Sequence, residues 1–271
     1  MARHRVARWL FQKLAFRQAV QPEYGQERDR QRYHEYGIPS TKRFFGRFEG
    51  VLDLQAKSVL DVGAGRGEVI IEAARRGAER VVGIDIDVPE QALNMIAEDP
   101  VTAERVQLLH TDGSLRELGS ETFDIVLSKD SFEHFVDPES FVFTLAERVE
   151  PGGVLAIGFG PLWKSPMGGH IDYMTPVPWA HLVFPEEVIM DERRRFRPDG
   201  AGAFEAVPGG LNKMTLARFQ RIMASTGLET VYFATNVGDH PAVKAMRVIS
   251  RVRPVREYFT TSVYGVWRKP R

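Results

Sequence analysis

Apolar positions in the middle of the chain fall in short blocks. Residues 58–62, 80–86, 106–110, 123–128 and 154–159 are each rich in Val, Ile, Leu or Phe, and glycine or an acid follows within two residues. Runs of this length bounded by turn residues read as buried strands. Between them the spacing lengthens to the helical period. Residues 68–76 end at Gly77, residues 89–98 carry Pro89 in the first turn, and residues 138–149 lead to the turn Pro151-Gly152-Gly153. Strands alternating with helices predict parallel β-α-β units, hence an α/β, doubly wound sheet.

Two stretches depart from this rhythm. Residues 161–212 are rich in proline, glycine and aromatics, and only 185–195 has a helical pattern. So long an irregular segment inside a compact domain is usually functional. The rhythm then resumes with a helix over 215–226 closed by Gly227, a strand near 228–234, a short helix over 241–250 and a strand over 259–268. At the other end, residues 1–55 predict helices only. RVARWLFQKLAFRQAV comes first, a polar helix follows up to Gly37, and IPSTKRFFGRFEGVLDL takes Ser40 as its N-cap. The expected division is a helical cap over 1–55 and one domain over 56–271, with an insertion at 161–212.

Charge narrows the function classes. Lysine plus arginine and aspartate plus glutamate both number 36 in 271 residues, so no global basic field points to nucleic acid. There is no cysteine, which removes disulfides, thiolate metal sites and cysteine nucleophiles. No apolar run approaches the roughly 18 residues of a membrane span. The first helix is unusual: five Arg and Lys and no acid lie between Arg3 and Arg17. On a helical wheel Arg5, Arg8 and Gln12 share a side with Ala15 and Ala19, while Trp9, Leu10, Phe11, Leu14, Phe16 and Val20 cover most of the rest. Three readings stay open: a helix packed on the domain or over its site, a membrane-surface or partner-docking helix, and a basic targeting peptide. The expected location is cytoplasmic, with peripheral membrane contact as the variant.

The densest chemistry lies in LDVGAGRGEVIIEAARRGAERVVGIDID. Gly63, Gly65 and Gly67 follow a strand and open a helix, where bare backbone and the helix N-terminus accept a ligand closely. Asp85 ends the next strand, where an acid takes hydrogen bonds from a ribose diol in nucleotide-binding α/β domains. A dinucleotide oxidoreductase would want its third glycine one position after Gly67.

The chain resembles the class I S-adenosylmethionine (SAM)-dependent methyltransferases. The resemblance rests on LDVGAGRG, GIDID, TDG, FDIVLSKDSFEHFVDP and RVEPGGVLAIG, which run in the family's order. It implies a seven-stranded, mostly parallel Rossmann-like sheet with an antiparallel last strand. S-adenosyl-L-methionine is the implied cofactor and S-adenosyl-L-homocysteine the product. By position, Asp61 and Gly63 would lie at the methionine end. Gly65 and Gly67, on either side of Arg66 and following Ala64, would let the cofactor pass over the loop. Asp85 would hold the ribose, Ile86 touch the adenine, Asp112 bond the adenine amine beside Gly113, and Ser128 or Lys129 complete the cleft.

A hydroxyl acceptor needs its proton removed as the bond forms, and histidine suits that task. His134, His170 and His181 are the candidates, each with a structural role as the alternative. The insertion is expected to wall the acceptor pocket as a lid, with Trp163, Tyr173, Trp179 and Phe184 able to stack on a ring or to form a core. Asp130, Glu133 and Asp137, or His170 with Asp172, lack a metal-ligand spacing, so no metal is expected. GGHIDYMTPVPWAHLVF resembles methyltransferases of glycan or natural-product assembly. The expected reaction is O-methylation of a sugar or another hydroxylated small molecule. C- or N-methylation of a lipid-like or quinone-like acceptor, and a non-catalytic SAM sensor or scaffold, are the alternatives. SKDS, where base methylases carry an NPPY-type motif, argues against nucleic acid, and oligomeric state is left open.

Overall fold

The computed structural model describes residues 2–17, 36–197 and 199–271. Strands β1 (Ser58–Val62), β2 (Arg80–Asp85), β3 (Val106–His110), β4 (Phe123–Lys129), β5 (Val149–Phe159), β6 (Glu229–Thr235) and β7 (Val263–Arg268) form one seven-stranded sheet. Its order is β3-β2-β1-β4-β5-β7-β6, and β7 is antiparallel to both neighbours while β1 to β5 pair in parallel. The fold expected from the chain's rhythm and resemblance is the one found.

Alternation along each strand sends side chains to two layers. In β1, Leu60 and Val62 join a core with α6 (Pro138–Glu147) and α9 (Leu216–Ser225), through Val142, Leu145, Phe219 and Ile222. Val59 faces the opposite core with α2 (Ile38–Gly46), α3 (Glu68–Arg75) and α4 (Glu90–Glu98), through Phe44, Ile70 and Ile96. A period of two puts Asp61 on that second side, at the carboxyl end of the strand.

Several boundaries differ from expectation. Helix α2 begins before Ser40, which lies inside it: Gly37 is the cap residue and Pro39 stands in the first turn. Proline's fixed φ suits that turn and overrides the serine signal. The segment Pro151-Gly152-Gly153 does not precede β5 but lies within it, as an irregularity where pairing jumps from Phe123↔Val149 to Ile125↔Val154. Gly152 takes φ +84°, and a Cβ on Gly153 would lie 2.6 Å from the Asp124 carbonyl oxygen. The last strand, expected over 259–268, begins only at Val263, with Phe259 ending a helical turn over Arg256–Phe259, and a short α5 (Pro100–Ala103) follows α4. The polar helix expected before Gly37 falls almost wholly outside the described residues.

The insertion has a small core of its own. Helix α7 (Ala180–Val183) and α8 (Glu186–Arg193) pack with Ile171, Met174, Phe204 and Leu211, and Phe11 of α1 (Ala2–Leu14) completes that cluster. Phe11 is buried edge-on to Phe184 at 5.0 Å, Arg8 pairs with Asp191, and Gln12 Nε2 donates to Glu192 Oε2 at 3.1 Å. The N-terminal helix therefore docks through its Phe11 side with Arg8 and Gln12 at the edge. Trp9, Leu10 and Leu14, on the apolar remainder of the wheel with Phe11, are exposed. Among the described residues no helix is long and apolar enough to cross a membrane.

Candidate active site

Strand order reverses between β1 and β4, and in open α/β sheets ligands bind at that point beyond the strand ends. The loop after β1 is shaped for close approach. Gly63, Gly65 and Gly67 all have positive φ, at +83°, +51° and +84°. A Cβ on Gly63 would collide with Ser131, whose hydroxyl donates to the carbonyls of Gly63 (3.2 Å) and Lys129 (2.9 Å). A Cβ on Gly65 would meet nothing within 4 Å, so this backbone faces open space. Ala64 is buried, and Gly67 caps α3. The Gly63 and Ala64 N–H groups bond the Ile84 carbonyl at 2.9 and 3.0 Å, tying the loop to β2.

Asp85 joins the same assembly. Its Oδ2 accepts from Gly65 N at 2.7 Å and its Oδ1 from Asp87 N at 3.0 Å. An ionised carboxylate has about four acceptor sites, so lone pairs remain for a ligand. Gly63, Asp85, Ile86, Asp112, Gly113 and His134 all line one cavity of about 680 Å³. Phe135, Val136 and Phe141 line it as well, and neither these three nor Ser131 figured among the expected site residues. They sit in and after the turn that follows β4, where the FEHFVDP motif was the available signal. Asp112 turns back on itself: hydrogen bonds from Ser114 hold its carboxyl below the ordinary range.

Asp61 lies behind the loop, fully buried, and neither carboxylate oxygen has a hydrogen-bond partner. Burial pushes its carboxyl up to about 8 against the pull of Lys129. Glu133 is the second such group, with Oε2 unpartnered and burial, helped by Asp130, raising it to about 8. In the folded chain both bind protons more tightly than in the unfolded one, so stability present below about pH 4 is lost as pH rises through about 8. The ligand-free protein is expected to show a lower denaturant midpoint at pH 8 than at pH 5, corresponding to an unfolding free energy smaller by on the order of a few kcal/mol. Asp61→Asn should flatten that dependence in equilibrium unfolding, and a midpoint rising with pH would contradict it.

A second cavity, of about 450 Å³, opens under the insertion. His170, Asp172, Tyr173, Arg193, Arg197 and His134 are among its walls. Arg193 is buried and forks onto Asp199, while the Arg197 guanidinium stands 4.9 Å over the Tyr173 ring. The basic run is therefore no open cationic patch: Arg194 and Arg195 pair with Asp191 and Glu192 of their own helix.

His134 belongs to both cavities. Its Nδ1 faces the Gly210 carbonyl at 2.6 Å, which makes that nitrogen the donor and leaves Nε2 as the acceptor. The turn carrying it is clamped by the end of the insertion. Asn212 Nδ2 donates to the carbonyls of Phe132 (2.8 Å) and Phe135 (2.9 Å), and Asn212 N to that of Glu133 (2.9 Å). The His170 ring is 5.6 Å from that of His134, edge-on. Its Nε2 has no partner, and burial, with His134 nearby, lowers it to about 4.

The other expected site residues lie apart. His181 lines neither cavity: it is buried, with Nε2 2.5 Å from the Trp163 carbonyl and its ring against the Trp163 indole. Its place is the core of the insertion, not a reacting centre. Ser128 is buried with an unpartnered hydroxyl, and Lys129 pairs with Asp130; neither lines the cleft. Of the four aromatics considered for ring stacking only Tyr173 lines either of these two cavities. Trp163 packs on Phe204, Trp179 on Phe259 and Phe184 on Phe11. Among the described residues no three His, Asp or Glu side chains gather as metal ligands.

A glycine loop and an acid at the ends of adjacent strands, on a mostly parallel sheet with an antiparallel β7, are the arrangement expected of a class I SAM-dependent methyltransferase domain. In agreement, residues 60–157 match the family model described as "Methyltransferase domain", so this part of the chain carries such a domain. Among curated proteins it is 32% identical over 161 residues to the ubiquinone biosynthesis O-methyltransferase of Neisseria meningitidis serogroup C, covering 56% of this chain and 58% of that one. The match thus spans less than two thirds of that relative's length. Among solved structures it shares the fold of magnesium protoporphyrin IX methyltransferase from Synechocystis PCC 6803 with bound SAH (TM-score 0.52, 15% identity, covering 92% and 90%). It shares it equally with the [4+2]-cyclase SpnF (TM-score 0.54, 15% identity, covering 85% and 82%). One fold carries more than one chemistry here, so activity must be argued from the site.

Proposed function

We propose that the protein is a SAM-dependent O-methyltransferase acting on the hydroxyl of a small, ring-bearing, quinol-like molecule. The residues present fit the cofactor. Asp61 offers a buried carboxylate without a partner, suited to an ammonium group directly or through water. The open face of Gly65 suits a chain passing over it, and the spare lone pairs of Asp85 suit a ribose diol. Ile86 and Val136, exposed aliphatics lining the same cavity, suit the faces of an adenine ring, with Asp112 within that lining for its amine. When bound, SAM supplies an electrophilic methyl group on a sulfonium that leaves as the neutral thioether S-adenosylhomocysteine.

The observation that carries the reading is that His134 lines both cavities. A hydroxyl held in the second cavity would present its proton to Nε2 while its oxygen faces the first. The Gly210 carbonyl holds the ring in the tautomer that accepts there and steadies the imidazolium that results. The 161–212 insertion serves as the acceptor wall and excludes water. O-methylation in ubiquinone biosynthesis is what the name of the Neisseria relative states, and a quinol-like acceptor agrees with it. A sugar hydroxyl is the second reading, favoured by the polar wall of Asp172, Arg193, Arg197 and Asp199. Incubation with methyl-labelled SAM and separate panels of catechols, quinols and glycosides is expected to label an ether oxygen of a catechol or quinol. Label only on glycosides would shift the reading to the second, and label on carbon or nitrogen, or none with SAM bound, would overturn O-methylation.

A further inference from the structure

We propose that the outward face of α1 docks the protein on an anionic lipid surface. The inner face of this helix is already occupied, by Phe11 in the core of the insertion and by Arg8 and Gln12 on α8. The outer face is apolar and uncovered: Val6, Leu10 and Leu14, four residues apart, are 60%, 42% and 42% exposed, and Trp9 beside them is 59% exposed. Val183, next in the chain to the Phe184 that packs on Phe11, is 71% exposed and belongs to the same insertion.

Basic groups surround this face and none is countered within the helix. Residues 2–17 contain no aspartate or glutamate, and exposed Arg5, Lys13 and Arg17 form no ion pair with another described residue. Lys13 lies between Trp9 and Val6 in angular position around the helix, and Arg5 flanks Trp9 on the other side. Apolar side chains mixed with long basic ones suit an interface, where the apolar groups sink among acyl chains and the cationic ends reach the headgroups. A protein groove would ask for a clean apolar stripe with the charges to either side. Anionic headgroups are the complement this face calls for, and each basic side chain near such a surface strengthens binding severalfold. Helix α1 also packs on α8, whose Arg193 lines the second cavity, so docking would set that cavity close to the lipid. The inference stands on this face alone and not on the acceptor assignment.

The test uses the full chain without turnover. Co-sedimentation with vesicles of phosphatidylcholine doped with phosphatidylglycerol is expected to exceed that with pure phosphatidylcholine at least about tenfold, and to fall with added salt. Trp9→Ala with Leu10→Ala should abolish binding, and Arg5→Gln, Lys13→Gln and Arg17→Gln together should abolish the lipid preference. SAM affinity and circular dichroism, unchanged in both variants, would establish that they fold. Equal sedimentation with both lipids, or none, overturns the proposal. So does a Trp9-dependent dimer in gel filtration without vesicle binding, which would give this face to a second copy of the chain.

Discussion

Replacing Asp85 by alanine is expected to weaken SAM binding about a hundredfold or more while leaving the fold intact. Hydrogen bonds from neutral donors to a charged acceptor contribute about 1.5–3 kcal/mol each, and a ribose diol makes two. The lower end of that range already gives about a hundredfold. A second effect adds to it. Asp85 Oδ2 also accepts from Gly65 N at 2.7 Å, so the alanine variant removes one of the ties that hold the glycine loop to its neighbour strand. Asp85→Asn separates the two, because an amide oxygen keeps one acceptor and the shape but loses the charge. It should lose about tenfold. Folding should survive because Asp85 is half-buried at the very end of β2, whose packing rests on Val81, Val82 and Ile84. Titration calorimetry gives the affinity and denaturant unfolding the stability. Unchanged affinity for Asp85→Ala would remove this carboxylate from the cofactor site.

The parts of this molecule that were legible in its sequence are those in which one local rule decides the outcome. Strands β1 to β5 are short apolar runs with turn residues behind them, and the Gly63, Gly65 and Gly67 positions demand positive φ whatever surrounds them. The errors fall where two local rules compete or where distant segments meet. Ser40 lost the capping position to the proline signal beside it. The Pro151-Gly152-Gly153 segment was absorbed into β5 because strand pairing outweighed the turn tendency. Long-range meetings left no local trace. The burial of Trp163 against His181 and the clamp of Asn212 on Phe132 and Phe135 each join residues from the irregular 161–212 segment to something the pattern does not predict. For the same reason three histidines were equivalent by sequence and are not equivalent in the fold. One stands between the cavities, one under the insertion and one inside its core.

That inequivalence yields the second large effect. His134→Ala is expected to lower kcat by about 10² to 10⁴, the usual worth of a positioned general base, with SAM affinity nearly unchanged. His170→Gln is expected to cost much less. Burial holds His170 at about 4, so it accepts a proton poorly near neutral pH, and it lines only the cavity under the insertion. His134 lines both cavities, and the Gly210 carbonyl on its Nδ1 turns an accepting nitrogen outward. Removing its ring leaves space behind, so imidazole added to the His134→Ala enzyme should restore part of kcat. A residue that only shaped the pocket would show a raised acceptor KM and no such rescue. If His170→Gln proves the more damaging change while His134→Ala turns over normally, the proton leaves by the other ring, and the hydroxyl must enter from deeper under the insertion than its two cavities suggest.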